Sequence, residues 1–452
     1  MVIKAQDVKN VIRRHLLADG MDLIVDLQKS KGSWFVDQRN GDRYLDCFAM
    51  FASMAVGYNH DDLLAMKDRL GDLAVQKPAN SDSYSEPMAE FLQTFVEHAM
   101  PAYLPHVFFI EGGALAVENA LKAAFDWKVK KNFERGAKKE TGTQIIHFQQ
   151  AFHGRSGYTL SLTNTADPRK TSYFPKFAWP RVINPKLTFP LNNEILAATR
   201  ILEDQALATI KEHIARAGND IAGLIIEPIQ GEGGDNHFRD EFFVGLRKIC
   251  DEHEILFIMD EVQTGVGLTG KFWAHEHFSV RPDIISFGKK TQVCGILASA
   301  RLDEIKKNVF TEPSRINSTF GGNLIDMVRC SAILKIIDKE KLVDNACRRG
   351  QELLQGLEHL CGEFPGILNN ARGRGLMCAF DLADGEKRNT FRKKLLQERL
   401  LVVGCGEKSI RFRPHLIITR EEIEMILQII RKVLEQDTTK TQAQTAVRKQ
   451  NK

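Results

Sequence analysis

Five short apolar runs in this chain each end in polar residues capable of chemistry. The run 106–110 is followed by Glu111-Gly112-Gly113-Ala114, and the run 145–148 by Phe152-His153-Gly154-Arg155. The run 224–226 is followed by Glu227, 255–259 by Asp260 and Glu261, and 284–287 by Gly288-Lys289-Lys290. A glycine turn that opens a helix can bind a phosphate through free N–H groups and the helix dipole. A carboxylate at the end of an apolar strand is costly unless a cation pairs with it. A lysine on a neighbouring strand is one such cation, and a protonated ring nitrogen is another. Taken singly, a glycine-rich turn can lack a ligand, and a buried Asp or Lys is more often half of a structural ion pair. Taken together, the residues supply a phosphate cradle, a lysine able to form a Schiff base and an acid for a pyridinium nitrogen. Pyridoxal phosphate uses all three.

Such residues meet only if the runs are neighbouring strands. Continuous apolar runs suit strands buried on both faces, as in a parallel sheet. Helical stretches near 115–129 and 242–252 separate them, which predicts an α/β layered domain. In an open parallel sheet, ligands bind beyond the carboxyl ends of the strands. The spacing predicts a large domain over 75–325. A smaller α/β domain would be built from both chain ends, 1–74 and 326–435. Thr419 and Glu422 form a capping box before an amphipathic helix with Ile423, Ile426, Leu427, Ile430, Val433 and Leu434 on one face. The Thr/Gln/Lys-rich segment 436–452 has little to bury and is expected to be a disordered tail.

Composition narrows the class. The 452 residues carry 62 Lys+Arg against 58 Asp+Glu, a formal charge of +4, so no electrostatic footprint for nucleic acid is present. Hydrophobic residues at 43% and charged residues at 27% are globular values. No apolar stretch reaches the roughly 18 residues of a membrane span. The N-terminus lacks a signal-like apolar region. The 8 cysteines form no C-x-x-C pair and read as buried thiols of a reducing compartment, so a cytoplasmic location is expected. No metal is expected. His275-Glu276-His277 lacks the spacing of a zinc site and reads as surface residues. The G-x-G-x-x-G pattern of Gly265, Gly267 and Gly270 comes too far after its strand to be a dinucleotide turn.

The signature residues resemble those of a known family, the class III or ornithine-type aminotransferases of pyridoxal-phosphate fold type I. The resemblance rests on DEVQTGVGLTG from Asp260 to Gly270, followed by PDIISFGK from Pro282 to Lys289, and extends over about residues 20–435. Four stretches, 111–129, 227–239, 287–295 and 314–323, are similar to members that act on the terminal amine of L-lysine. The resemblance implies that Lys289, rather than Lys290, forms the Schiff base and moves the proton. It implies that Asp260 pairs with the pyridinium nitrogen, that Gln263 reaches the phenolic oxygen and the bound acid, and that Phe152 stacks on the ring. Glu227 joins this cofactor-binding set. Gly113 and Ala114 would hold the phosphate through backbone N–H groups. Thr319 would do so from the partner subunit of a homodimer. Most relatives carry a Ser-Gly-Thr pattern where this chain has Gly112-Gly113-Ala114, which removes hydroxyl contacts.

On the substrate side the resemblance makes Arg155 a carboxylate clamp and Arg411 a second one, a task suited to bidentate guanidinium pairing. Glu232 would pair with Arg411 when lysine is bound and swing aside for the second carboxylate of 2-oxoglutarate. Asn317 would touch substrate across the dimer interface. The expected reaction takes the ε-amino group of L-lysine to 2-oxoglutarate, giving 2-aminoadipate 6-semialdehyde and L-glutamate. Another ω-aminotransferase, acting on ornithine or 4-aminobutyrate, is the nearest alternative, and a non-catalytic relative is a further one. A one-methylene preference is worth only about 1–3 kcal/mol.

Overall fold

The computed structural model describes residues 3–450, with side-chain surroundings given as far as residue 438. Two short strands come first, β1 (Trp34–Val36) and β2 (Arg43–Asp46). Seven follow in the middle of the chain: β3 (His106–Ile110), β4 (Gln144–Phe148), β5 (Arg181–Val182), β6 (Ile221–Ile226), β7 (Leu256–Asp260), β8 (Ile284–Phe287) and β9 (Cys294–Ala298). The last five are β10 (Asn369–Arg374), β11 (Met377–Asp381), β12 (Leu400–Leu401), β13 (Val403–Cys405) and β14 (Ser409–Phe412).

The seven middle strands form one sheet in the order β3-β9-β8-β7-β6-β4-β5. Every strand runs the same way except β9, which is antiparallel to both β3 and β8. Every residue of β6, β7, β8 and β9 is buried, which is why their sequences do not alternate. The helix Gly113–Glu134 covers one face. Its Val117, Ala120, Leu121 and Ala124 pack on Ile145, Ile225, Ile258, Ile284 and Ile296. The small alanines let the helix lie close to the sheet. On the other face the helix Asp240–Glu252 places Phe242, Phe243 and Leu246 in the core that holds Phe148, Ile226, Phe257 and Met259.

Strands β10, β11, β14 and β13 form a four-stranded antiparallel sheet, in that order. A third sheet joins the chain ends: β12 pairs in parallel with β2, with Leu400 beside Leu45. The last helix runs Arg420–Gln450 and buries Ile423, Ile426, Ile430, Val433 and Leu434. Its capping box is reciprocal, with Glu422 N donating to Thr419 Oγ1 at 3.2 Å and Thr419 N donating to Glu422 Oε2 at 3.0 Å. The same helix runs on through 436–450, part of the segment expected to form a tail. No Gly or Pro interrupts residues 436–450, and extending a docked helix needs no new nucleus. Residues 451 and 452 lie outside the described part.

All 8 cysteines are free, but Cys347 is exposed and Cys361 half-buried, both on the helix Leu342–Glu363. Among the described residues no helix is long and apolar enough to cross a membrane.

Candidate active site

A cavity of about 580 Å³ opens beyond the carboxyl ends of β4, β6, β7 and β8. Nine of the residues singled out in the sequence line it: Gly113, Ala114, Phe152, Arg155, Glu227, Glu232, Asp260, Gln263 and Lys289. Arg411 lies behind its wall, buried and bonded to Glu232. Thr319 and Asn317 do not line it. Both are exposed on the loop before helix Leu324–Lys339.

The turn at Gly112 has φ +97°, a conformation that favours glycine. It opens the helix Gly113–Glu134, which has no side-chain cap, so its first N–H groups face the cavity end without a side-chain acceptor. A Cβ on Gly113 would stand 2.9 Å from Val262 Cγ1, so this entrance is shaped by the absence of a side chain. Such an uncapped, glycine-lined terminus suits a phosphate.

Asp260 ends β7 and is buried. Its Oδ1 accepts from Ser286 Oγ at 3.0 Å and from Val262 N at 3.1 Å. Its Oδ2 lies 2.8 Å from His153 Nδ1. Among the described residues it forms no ion pair with Lys or Arg, so the alternative of a structural Asp260–Lys289 pair is not realised. Lys289 Nζ likewise has no hydrogen-bond or ion-pair partner among them. Its backbone has φ +54°, an uncommon value for a side chain of this size. Burial, followed by the Arg411 and Arg413 guanidiniums, brings its amine down to about 8. Lys290 points elsewhere: it is fully buried and donates to the carbonyls of Gln263 at 2.8 Å and Ala52 at 3.4 Å. A free amine, an acid without a lysine or arginine partner and an uncapped helix end thus share one cavity. This donor set fits pyridoxal phosphate.

Glu227 uses both oxygens on backbone, accepting from Phe152 N at 2.9 Å and Gly231 N at 3.0 Å. Burial, with Asp260 adding, pushes its carboxyl up to about 7. It therefore ties the loop bearing Phe152 to the loop bearing Glu232. Arg155 lines the cavity exposed and makes no ion pair among the described residues. Glu232 Oε2 accepts from Arg411 Nη2 at 2.9 Å, and Oε1 is bonded to Lys170 Nζ. The Nε and Nη1 of Arg411 are buried without hydrogen-bond partners among the described residues.

Several residues here were given no role by the sequence reading. Arg413 pairs with Asp235 through both Nη atoms, and both side chains are buried. Arg413 also donates to Gln263 Oε1 from Nε at 3.1 Å and Nη2 at 2.9 Å, which turns the amide nitrogen of Gln263 toward other partners. Its signal was available: Arg411 and Arg413 stand two apart at the end of β14, the spacing of one strand face. His153 and Lys170 carried no such pattern. His275 corrects the surface reading of 275–277. It is buried, with Nδ1 3.0 Å from Glu261 Oε1 and Nε2 bonded to Tyr103.

An unusual turn leads the chain to the cavity lining at Ser53. Residues Ala49, Met50, Phe51 and Ala52 have φ of 42°, 50°, 60° and 64°. They form a left-handed helical turn closed by Ala52 N to Phe48 O and Ser53 N to Ala49 O. Asp46 Oδ1 accepts from Phe48 N at 2.7 Å and Ala49 N at 2.9 Å, and Oδ2 accepts from Tyr58 at 2.7 Å. The turn delivers Ser53 to the cavity, where its carbonyl accepts from Gln292 Nε2 at 2.8 Å.

Comparison with known proteins places this geometry. The family model for class-III aminotransferases matches residues 17–434. The chain is 47% identical over 430 residues to an L-lysine-epsilon aminotransferase of Amycolatopsis lactamdurans, covering 94% of this chain and 95% of that one. It is 32% identical over 438 residues to the mitochondrial 4-aminobutyrate aminotransferase of Homo sapiens, covering 92% and 86%. Its structure is similar to that of the lysine aminotransferase from M. tuberculosis, with a TM-score of 0.93 at 47% identity over 96% of this chain and 99% of the other.

Proposed function

Because the chain belongs to the class-III aminotransferases, which work with pyridoxal phosphate, we propose that it is an L-lysine 6-transaminase. It would transfer the ε-amino group of L-lysine to 2-oxoglutarate, releasing 2-aminoadipate 6-semialdehyde and L-glutamate. The observation that carries the substrate is the gap in identity, 47% to a relative named for lysine against 32% to one named for 4-aminobutyrate.

When bound, the cofactor supplies a carbonyl that takes up the amino group and a ring that accepts electrons from the substrate carbon. The chain's residues do the rest. Gly113 and Ala114 would hold the phosphate through N–H groups. Thr319 of the partner subunit would add its hydroxyl, which its exposure outside its own cavity allows. Asp260, aligned by Ser286 and His153, would keep the ring nitrogen protonated. Phe152 would cover a ring face, and Gln263, oriented by Arg413, would reach the phenolic oxygen. Lys289 would hold the cofactor at rest, then take a proton from Cε of lysine as a general base, a role suited to an amine at about 8.

Arg155 would clamp the substrate carboxylate. With lysine bound, Glu232 stays on Arg411. With 2-oxoglutarate bound, Glu232 leaves and Arg411 takes the second carboxylate. Asn317 would approach substrate from the partner subunit. The working unit is then a homodimer, and a cytoplasmic location suits its eight free thiols.

The test is the visible absorption of the purified protein with L-lysine, ornithine or 4-aminobutyrate in separate cuvettes. Loss of the cofactor band with lysine and its return with 2-oxoglutarate is the expected result. A response to ornithine or 4-aminobutyrate instead would keep the chemistry and overturn the substrate. Absence of any band after adding pyridoxal phosphate would overturn both.

A further inference from the structure

We infer that Lys170 is a positioning residue that receives the Glu232 carboxylate as it leaves Arg411, so that the dicarboxylate substrate can bind. The inference rests on the switch reading of Glu232 given above and adds the group that makes the switch affordable in a buried setting.

The Glu232 backbone cannot move far. Its carbonyl accepts from Gly406 N at 2.8 Å, and the next residue, Gly233, is pressed so close to Gln150 that a Cβ would meet its carbonyl oxygen at 2.1 Å. Only the side chain can swing. Arg411 is 3% exposed, and Glu232 is its one ion-pair partner among the described residues. A carboxylate leaving such a guanidinium for a buried cleft would stand uncompensated, which is expensive. Lys170 removes that obstacle because it already holds Oε1 while Arg411 holds Oε2. Rotation toward Lys170 frees Arg411 without leaving either charge alone.

Lys170 is suited to the task by its place. It closes the short turn Pro168–Lys170, whose first N–H is fixed by the Asp167 side chain at 3.1 Å. Its side chain is 30% exposed against 22% for Glu232, so it sits where the cavity wall meets solvent. Glu232 is its one carboxylate partner among the described residues.

The experiment uses the cofactor-loaded protein. Each half-reaction is followed by rapid mixing with L-lysine or with 2-oxoglutarate, and binding of glutarate, an unreactive dicarboxylate, is measured by calorimetry. Lys170→Met is expected to raise the 2-oxoglutarate concentration for half-maximal rate and the glutarate Kd about tenfold, the size of a lost charge-assisted hydrogen bond. The lysine half-reaction should change less than about twofold, and Lys170→Arg should restore the wild-type values. In a Glu232→Gln background, Lys170→Met should alter neither half-reaction. Equal losses in both half-reactions, no loss in either, or a full effect that persists without the Glu232 charge would overturn the assignment. The last outcome would mean that Lys170 touches the substrate itself. A wild-type protein that reacts with another amine but not lysine would overturn the lysine reading alone, since the Lys170 comparison runs equally on that amine.

Discussion

His153 Nδ1 lies 2.8 Å from Asp260 Oδ2, across 107 residues of sequence, and both side chains are buried. Ser286 Oγ holds the other carboxylate oxygen from the adjacent strand. The acid is therefore gripped from two sides before any ligand arrives. Preorganisation of this kind lets a carboxylate stabilise charge without reorganising at the moment of reaction.

Replacing that acid tests its role. Asp260→Asn keeps the shape and the bond to Ser286 but loses the negative charge. Turnover should fall by about 10²–10³. His153→Ala removes only the support and should cost about tenfold, in the range of outer-shell groups that orient a ligand. Steady-state kcat with saturating substrates checks both, and a larger loss for His153→Ala than for Asp260→Asn would reverse the assignment.

The two neighbouring lysines should behave differently. Borohydride reduction of the protein with pyridoxal phosphate, followed by peptide mass spectrometry, is expected to label Lys289 and leave Lys290 unmodified. Lys290 Nζ is committed to the Gln263 and Ala52 carbonyls inside the core. Lys289→Ala should abolish turnover.

The capture of cofactor by the apo-protein should follow the Lys289 amine. Only the neutral amine attacks a carbonyl, and it becomes neutral as pH rises through its pKa. With that value held at about 8 by burial and the two arginines, the rate should climb about tenfold per pH unit below 8 and level off above it. An ordinary lysine would keep climbing toward 10.5. Stopped-flow absorbance across pH 6 to 10 reads the difference.

Asp46→Ala should lower the denaturation midpoint, with a loss of about 3 kcal/mol. The substitution strands the N–H groups of Phe48 and Ala49 and the Tyr58 hydroxyl in the core. A urea series followed by tryptophan fluorescence checks it.

The residues that could be read from the sequence are those at the ends of continuous apolar strands. Asp260 ends β7 and Lys289 follows β8, so burial of the strand fixes where the polar residue emerges. Strand β9 was less visible, since Gly295 interrupts a short run and no reactive residue follows it. The pairs His153–Asp260 and Arg413–Gln263 were not legible for a different reason. Each joins distant segments, and no periodicity relates them. The burial of His275 depended on Glu261 and Tyr103 meeting it from two other segments. Lys170 carries no motif or spacing of its own, and only the fold sets it against Glu232.

The turn Ala49–Ala52 has a consequence for engineering. A left-handed helical conformation costs about 1–2 kcal/mol per ordinary residue, and none of these four is Gly, Asn or Asp. The shape is thus not encoded in the segment that adopts it. A peptide spanning 46–54 would not hold it, and grafting the segment onto another scaffold would not carry the placement of Ser53 along. A randomised library over 49–52, selected for folding alone, should drift toward glycine and asparagine. Retention of Ala-Met-Phe-Ala in a selection for activity would mark the side chains, rather than the backbone, as what the site requires there.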